Sequence, residues 1–266
     1  MSRVPRTLMF FALSYSISWP LWIVVFVHHL SHLAGTGLWL YLLAVFAPHA
    51  SAVVNTALES GWHGLRRFYE RIFRPLALQW AIVAIVVPPL VYLVRDGLAV
   101  TFRLSHGAFF HHPPRTLAAL LLGQLAVVFG EEPGRRGFAL PRLIKHTGPL
   151  LGTLLLGIGW AVWHLPLFFI RGTAQYGTGF MEFLLLLTAW SMVMTLVVIR
   201  ARGSIIGAML FHASANVCAF AMWEPKSAGF ALGPWAVVAA IAGWKIRSQH
   251  WQGISQHSEV DDFQIQ

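Results

Sequence analysis

Apolar residues in this chain arrive in blocks of about 18 to 22, separated by short basic stretches, and that pattern constrains the fold more than any other feature. An α-helix of that length crosses a hydrocarbon core of roughly 30 Å. Because backbone N–H and C=O groups find no water in lipid, each block must satisfy its own hydrogen bonds as a helix. Composition agrees: 57% of the 266 residues are hydrophobic and 11% charged, against roughly 25% charged in a soluble domain. So little polar surface cannot cover a globule in water. The expected fold is all-α, a polytopic bundle of about eight transmembrane helices. We place them at Leu8–Val27, Leu38–Ala57, Leu76–Val94, Thr116–Arg136, Leu150–Ile170, Phe180–Ile199, Ser204–Met222 and Phe230–Trp244.

The positive charges test this arrangement. With the N-terminus inside, inner segments carry Arg3 and Arg6; Arg66, Arg67, Arg71 and Arg74; Arg135, Arg136, Arg142 and Lys145; Arg200 and Arg202; Lys245 and Arg247. Outer segments carry Arg95, Arg103 and Arg115, then Arg171, then Lys226. The richer segments fall on one side, as the positive-inside rule requires, so both termini are expected in the cytoplasm. The net charge of +9 is therefore read as topology and as affinity for the lipid bilayer, with no nucleic acid as partner. The single cysteine, Cys218, excludes an intrachain disulfide and a cysteine-rich metal centre. The start of the chain resembles a signal peptide, but its apolar run is too long and no small-residue cleavage site follows, so an uncleaved first helix is expected. The bundle should occupy residues 1–246, with a motif-bearing core at 117–222 and a polar cytoplasmic tail at 247–266. The setting is a multi-pass membrane protein, in the plasma membrane of a bacterium or the endoplasmic reticulum of a eukaryote.

Polar residues inside the apolar blocks point to function. The fourth block runs from Leu117 to Gly130, 14 residues, and rises only about 21 Å. To cross, the helix must take in Glu131 and Glu132, or begin back at Pro113-Pro114. A carboxylate at full depth costs about 2.5 to 3.5 kcal/mol and must be compensated. Arg135 and Arg136 follow at i, i+4 from Glu131 and Glu132. Between them Pro133 has no N–H, frees a carbonyl of the preceding turn and favours a break. The plain alternative is a charged helix end among headgroups. The fifth block holds Trp160 and His164 on one face, the seventh His212 and Asn216. Singly, a buried His bonded to a carbonyl, or an Asn joining two helices, is an ordinary packing feature. Convergence of the three faces would instead give a pocket with a base, two imidazoles and an amide donor, the parts needed to hydrolyse an amide.

These residues, in order, resemble the motifs of the CPBP intramembrane protease family: Glu131-Glu132-x-x-x-Arg136, Trp160-x-x-x-His164, and His212-x-x-x-Asn216. The family includes type II CAAX prenyl endopeptidases and bacterial bacteriocin-processing and immunity proteins. The likeness covers roughly Gly130 to Asn216. It implies an intramembrane endopeptidase acting on a membrane-embedded or membrane-associated, or lipidated, peptide. Glu131 would activate water with help from His164, His212 and Asn216 would bind metal or stabilise the oxyanion, and Glu132 with Arg136 would hold Glu131 in place. A divalent metal, Zn2+ by preference, on Glu131, His164 and His212 and a metal-free glutamate mechanism use the same residues. Two positions depart from the family pattern. Trp160 replaces the frequent Phe, and Arg135 stands where an aromatic residue is usual, bringing a second cation that favours ionised carboxylates. The competing classes are a proton-coupled transporter, whose polar residues would string across the whole bilayer, and a catalytically silent scaffold or immunity protein.

Three expectations remain. Depth is one: Glu131 stands near the cytoplasmic end of its helix, yet His164 lies 14 residues after Leu150, about 21 Å in. An earlier start to the fifth helix, a tilt, or a kink at Pro149 or Pro166 would reconcile them. Gly148 and Gly152 have the small-xxx-small spacing of closely approaching helices. His28 and His32, with His29, His106, His111 and His112 in outer loops, offer a second, weaker metal set.

Overall fold

The computed structural model describes residues 4–103, 114–221 and 228–248. Among them every regular element is helical: α1 (Val4–Val27), α2 (Gly35–Val45), α3 (Ala47–Ile72), α4 (Leu78–Thr101), α5 (Pro114–Glu132), α6 (Leu140–Thr147), α7 (Pro149–Trp163), α8 (Phe180–Arg200), α9 (Ile206–Ala221) and α10 (Ala228–Arg247). A π-helical stretch, Pro133–Ala139, joins α5 to α6, and a 3-10 turn, Leu165–Phe169, follows α7. Each of the eight expected helices has a counterpart. Four spans, Arg6–Val27, Leu78–Thr101, Pro149–Phe169 and Phe180–Arg200, are individually long and apolar enough to cross a membrane. The α2–α3 pair, bent by 43° at Phe46, makes a fifth if it counts as one span. The predicted tail beyond Ser248 lies outside the described residues.

The distribution of side chains is that of a protein solvated by lipid. Leu78, Leu122, Met181, Val237 and Ile241 are exposed, while Arg95, Glu132 and Arg136 are buried. In water such a surface would associate; in a bilayer it is the contact surface. The larger core lies between α4, α7, α8, α9 and α10, with Trp160, Trp190, Phe211 and Trp235 at its centre. A smaller one, around Phe10, Phe68, Ile72, Phe138 and Leu140, joins α1, α3 and the π-helical stretch.

The structure corrects two boundaries. Arg95, expected in an outer loop, lies inside α4 and pairs with Asp96 at 2.8 Å over the ring of Tyr92. Neither Pro88 nor Pro89 stops that helix, which runs to Thr101. The second helix does not end at Ala57: past its break at Phe46 it continues as α3 to Ile72, interrupted at Gly61. Gly64, Phe68 and Ile72, spaced by four, bury one face of this extension, so Arg66, Arg67 and Arg71 are helical, not loop, residues.

The depth discrepancy disappears because Glu131 is not at the end of its helical arm. The chain continues past it through the π-helical stretch and α6 before it reverses at Gly148, whose φ of +80° strains any side-chain-bearing residue. The reversal pairs positions about equally distant from it. A Cβ at Gly152 would stand 2.9 Å from Ile144 N and 3.0 Å from Leu143 C, four residues to either side of the turn. Arg136 lies 4.6 Å from the ring centroid of Trp160, each twelve residues away. Glu131 and His164, 17 and 16 residues from the turn, therefore stand at one level. The small-xxx-small expectation holds at Gly152, whose contacts are rigid backbone. We expect Gly152→Val to prise the arms apart at a cost of about 1 to 3 kcal/mol, read as a lower Tm in detergent. An unchanged Tm would show that α6 and α7 do not touch.

Candidate active site

Glu131 and Glu132 occupy the last turn of α5, and both are enclosed, Glu131 at 3% exposure and Glu132 at 0%. The simple alternative of a charged helix end washed by headgroup water is thus overturned. Neutralisation is local, as the spacing predicts: Arg135 pairs with Glu131, and Arg136 Nη1 lies 3.0 Å from Glu132 Oε2. Two negative and two positive charges leave the cluster neutral, the condition under which buried ions are tolerated. Aromatic faces cover the cations. Arg135 lies 4.5 Å from the centroid of Trp163 and 5.2 Å from that of Trp160, within range of a favourable cation–π contact.

Pro133 produces a change of helical pitch where a break was expected. The π-helical stretch it opens keeps Arg135 and Arg136 within reach of their carboxylates. π-Helical segments often mark functional positions.

Three other elements add their side chains. From α7, Trp160 Nε1 donates to Glu131 Oε2 at 3.1 Å. His164 caps the end of α7 and its Nδ1 donates to Trp160 O at 2.9 Å, which leaves Nε2 with the lone pair. From α9, His212 Nδ1 donates to Glu132 Oε1 at 2.8 Å, again leaving Nε2 as the nitrogen able to take a proton or a metal. A carboxylate behind an imidazole fixes tautomer and ring orientation in this way. The ring of His212 meets Trp160 edge to face at 4.9 Å. Asn216, one turn further along α9, turns its Nδ2 to Gln124 Oε1 of α5 at 2.6 Å. Thus Glu131, Glu132, Trp160 and His212 form one contact network, His164 adjoins it through Trp160, and Asn216 is held beside it by Gln124.

Helix α1 buttresses the C-terminal end of α7. Tyr15 donates to Gly159 O at 2.6 Å, Trp19 Nε1 to Trp163 O at 3.0 Å, and Trp163 Nε1 to Ser18 Oγ at 2.8 Å. Because Leu167 N turns to His164 O in the 3-10 geometry, Trp163 O loses its helical donor and Trp19 replaces it.

Of the expected metal ligands Glu131, His164 and His212, the structure brings the first and last together with Glu132. Ligand atoms of Glu131, Glu132 and His212 lie within 4.8 Å of one another. His164 is not one of that set, although its Nε2 keeps a lone pair. Two carboxylates and an imidazole fit a divalent ion in type and spacing. The two arginines make the cluster neutral before any ion enters, so an ion would compete with guanidinium for the same oxygens. No second cluster of this kind forms among the described residues. His28, His29 and His32 do not assemble one, and His106, His111 and His112 lie outside the described residues.

Gln124 went unnoticed in the sequence although it precedes Glu131 by seven residues, two turns along one face. Its partner Asn216 was legible; the pairing of α5 with α9 was not.

A family model described as type II CAAX prenyl endopeptidase Rce1-like matches residues 113–218, which enclose the whole network. The CAAX prenyl protease 2 of Methanococcus maripaludis is 25% identical over 224 residues, covering 79% of this chain and 82% of that protein. Together with the three motifs in sequence order, these likenesses make the chain similar to the type II CAAX prenyl endopeptidases of the CPBP family.

Proposed function

We propose that the chain hydrolyses a peptide bond in a membrane-associated or lipidated peptide, with water activated by Glu131. The observation that carries this reading is the gathering of Glu131, Glu132 and His212 from distant parts of the sequence into one buried network under the Trp160 ring. In the reaction Glu131 takes a proton from water as the oxygen attacks the scissile carbonyl carbon. The second Nδ2–H of Asn216 donates to the oxyanion, and His164 and His212 join it once Nε2 has taken up a proton. The proton then passes from Glu131 to the departing amine as the C–N bond breaks. Glu132 and Arg136 orient: Glu132 holds His212, and Arg136 fixes Glu132. Were a divalent ion bound by Glu131, Glu132 and His212, it would supply a Lewis acid for the same water.

The reading includes eight crossings with both termini cytoplasmic, supported by the eight helical counterparts and the distribution of Arg and Lys. A lipidated substrate is supported by the names of the matching family and relative. The direct Arg135–Glu131 pair favours one competing reading, a silent scaffold whose base is held by a cation.

The decisive experiment is cleavage of a membrane-associated peptide by purified protein in lipid vesicles, wild type beside Glu131→Gln. Cleavage by the first and not the second supports the proposal; absence of cleavage by both favours the scaffold. Because each carboxylate already has its arginine, excess chelator is expected to leave the wild-type rate unchanged. Loss of activity on chelation, restored by Zn2+, would move Glu131 from base to ligand.

A further inference from the structure

A proline two residues past the proposed base raises a specific question about the backbone. In an α-helix the N–H of residue 133 would bond to the carbonyl of Phe129, but Pro133 has no N–H to give. A buried carbonyl without a donor costs about 1 to 3 kcal/mol, and here it would loosen the turn that carries Glu131 and Glu132. The structure supplies a substitute from another helix. His49, in the first turn of α3 and buried, points its Nδ1 at Phe129 O at 2.9 Å. A carbonyl only accepts, so Nδ1 carries the proton; Nε2 then accepts from the Tyr69 hydroxyl at 3.2 Å. The hydroxyl fixes the tautomer that the carbonyl needs.

The imidazole is held on all sides. It lies 4.9 Å from the Phe129 ring, 6.1 Å from Phe68 and 5.9 Å from Tyr69. The next residue of α5, Gly130, is so close to the α2–α3 junction that a Cβ there would stand 2.9 Å from Val45 O. The end of α5 is thus clamped against the start of α3, with His49 as the polar fastening. This imidazole belongs to none of the three motifs, and its hydrogen-bond and ring partners are Phe129, Tyr69 and Phe68.

We infer that His49 is a positioning residue for catalysis: it replaces the hydrogen bond that Pro133 removes and, with Tyr69 behind it, holds the Glu131 turn in the reactive geometry. The inference rests on Glu131 being the base. A small displacement of a catalytic group can cost about a hundredfold in rate, so His49→Leu is expected to lower kcat by about tenfold to a hundredfold, with KM little changed, in protein that remains folded. His49→Gln keeps a side-chain N–H and should recover most of the loss, which a purely space-filling role would not predict. Tyr69→Phe leaves His49 in place but frees its tautomer, and should give a smaller fall in kcat.

All are measured in vesicles beside Glu131→Gln. Wild-type kcat in His49→Leu, with Glu131→Gln inactive, would overturn the positioning role alone. Equal loss in His49→Leu and His49→Gln would do the same. Activity in Glu131→Gln would instead overturn the proposed base. Should His49→Leu fail to fold, Tyr69→Phe decides: a lowered kcat supports the inference, and an unchanged one removes it.

Discussion

Replacing Glu131 by Gln is expected to abolish measurable peptide cleavage while leaving folding and membrane insertion intact. The substitution keeps shape and length, so the amide oxygen can still accept from Trp160 Nε1, which reaches Glu131 Oε2 at 3.1 Å. Only the charge and the basicity are lost. Arg135 then lacks its anion, but it remains covered by the rings of Trp160 and Trp163, and a cation over aromatic faces retains part of its stabilisation. Catalysis has no such cushion. A positioned general base contributes about 10²–10⁴-fold, or roughly 3 to 5 kcal/mol of barrier. Residual turnover should therefore sink below detection in an assay that follows the wild type comfortably. Product formation in vesicles, read by mass spectrometry against equal amounts of inserted protein, checks this. A wild-type rate in the variant would remove Glu131 from the chemistry.

The largest stability effect is expected at Arg136. Its guanidinium is fully buried, pairs with Glu132 at 3.0 Å, reaches Met194 Sδ at 3.5 Å and stacks over Trp160. Arg136→Met leaves Glu132 as a buried anion whose one remaining polar partner in the network is His212. Breaking a buried pair from one side typically costs about 3 to 5 kcal/mol, whereas removing both charges is often nearly neutral. The single variant should therefore lose most of its folded yield, and the double variant Arg136→Met/Glu132→Gln should regain much of it. Thermal unfolding in detergent compares the two. Equal Tm values for single and double variants would mean that the charge of Glu132 is not stranded and that the pair contributes little.

How far the sequence disclosed this arrangement depends on the distance over which each interaction acts. The pairs Glu131–Arg135 and Glu132–Arg136 follow from helical spacing alone, and the structure contains both. The apolar blocks announced a counterpart for every expected helix because the requirement for self-satisfied backbone is local. The second half of α3 escaped notice because a search for long apolar runs passes over an amphipathic helix, although Gly64, Phe68 and Ile72 carry its period in plain view. Arg95 escaped for a related reason. A charged residue after an apolar run reads as a loop, and only the neighbouring Asp96 and Tyr92 make its burial tolerable. The motifs told which helices hold polar faces, but not at which level those faces meet. That level is set by α6, a short polar helix with no motif, which carries the turn of the hairpin well past Glu131. His49 and Gln124 lie further still from legibility. Pro133 announces that Phe129 O needs a donor, yet nothing local says that the donor stands 80 residues earlier in the chain.

The reversal at Gly148 has a consequence for how this protein can change over time. Since Glu131 and His164 reach one level by counting outward along two facing arms, inserting or deleting a single residue within either arm between positions 132 and 163 would rotate it by about 100° and turn its polar side chain away. That stretch should be length-locked, open to exchange of residues but closed to gain or loss of any, whereas the exposed residues 176–179 ahead of α8 should tolerate added length. Protein engineers seeking a place to graft a tag or a reporter should choose the second.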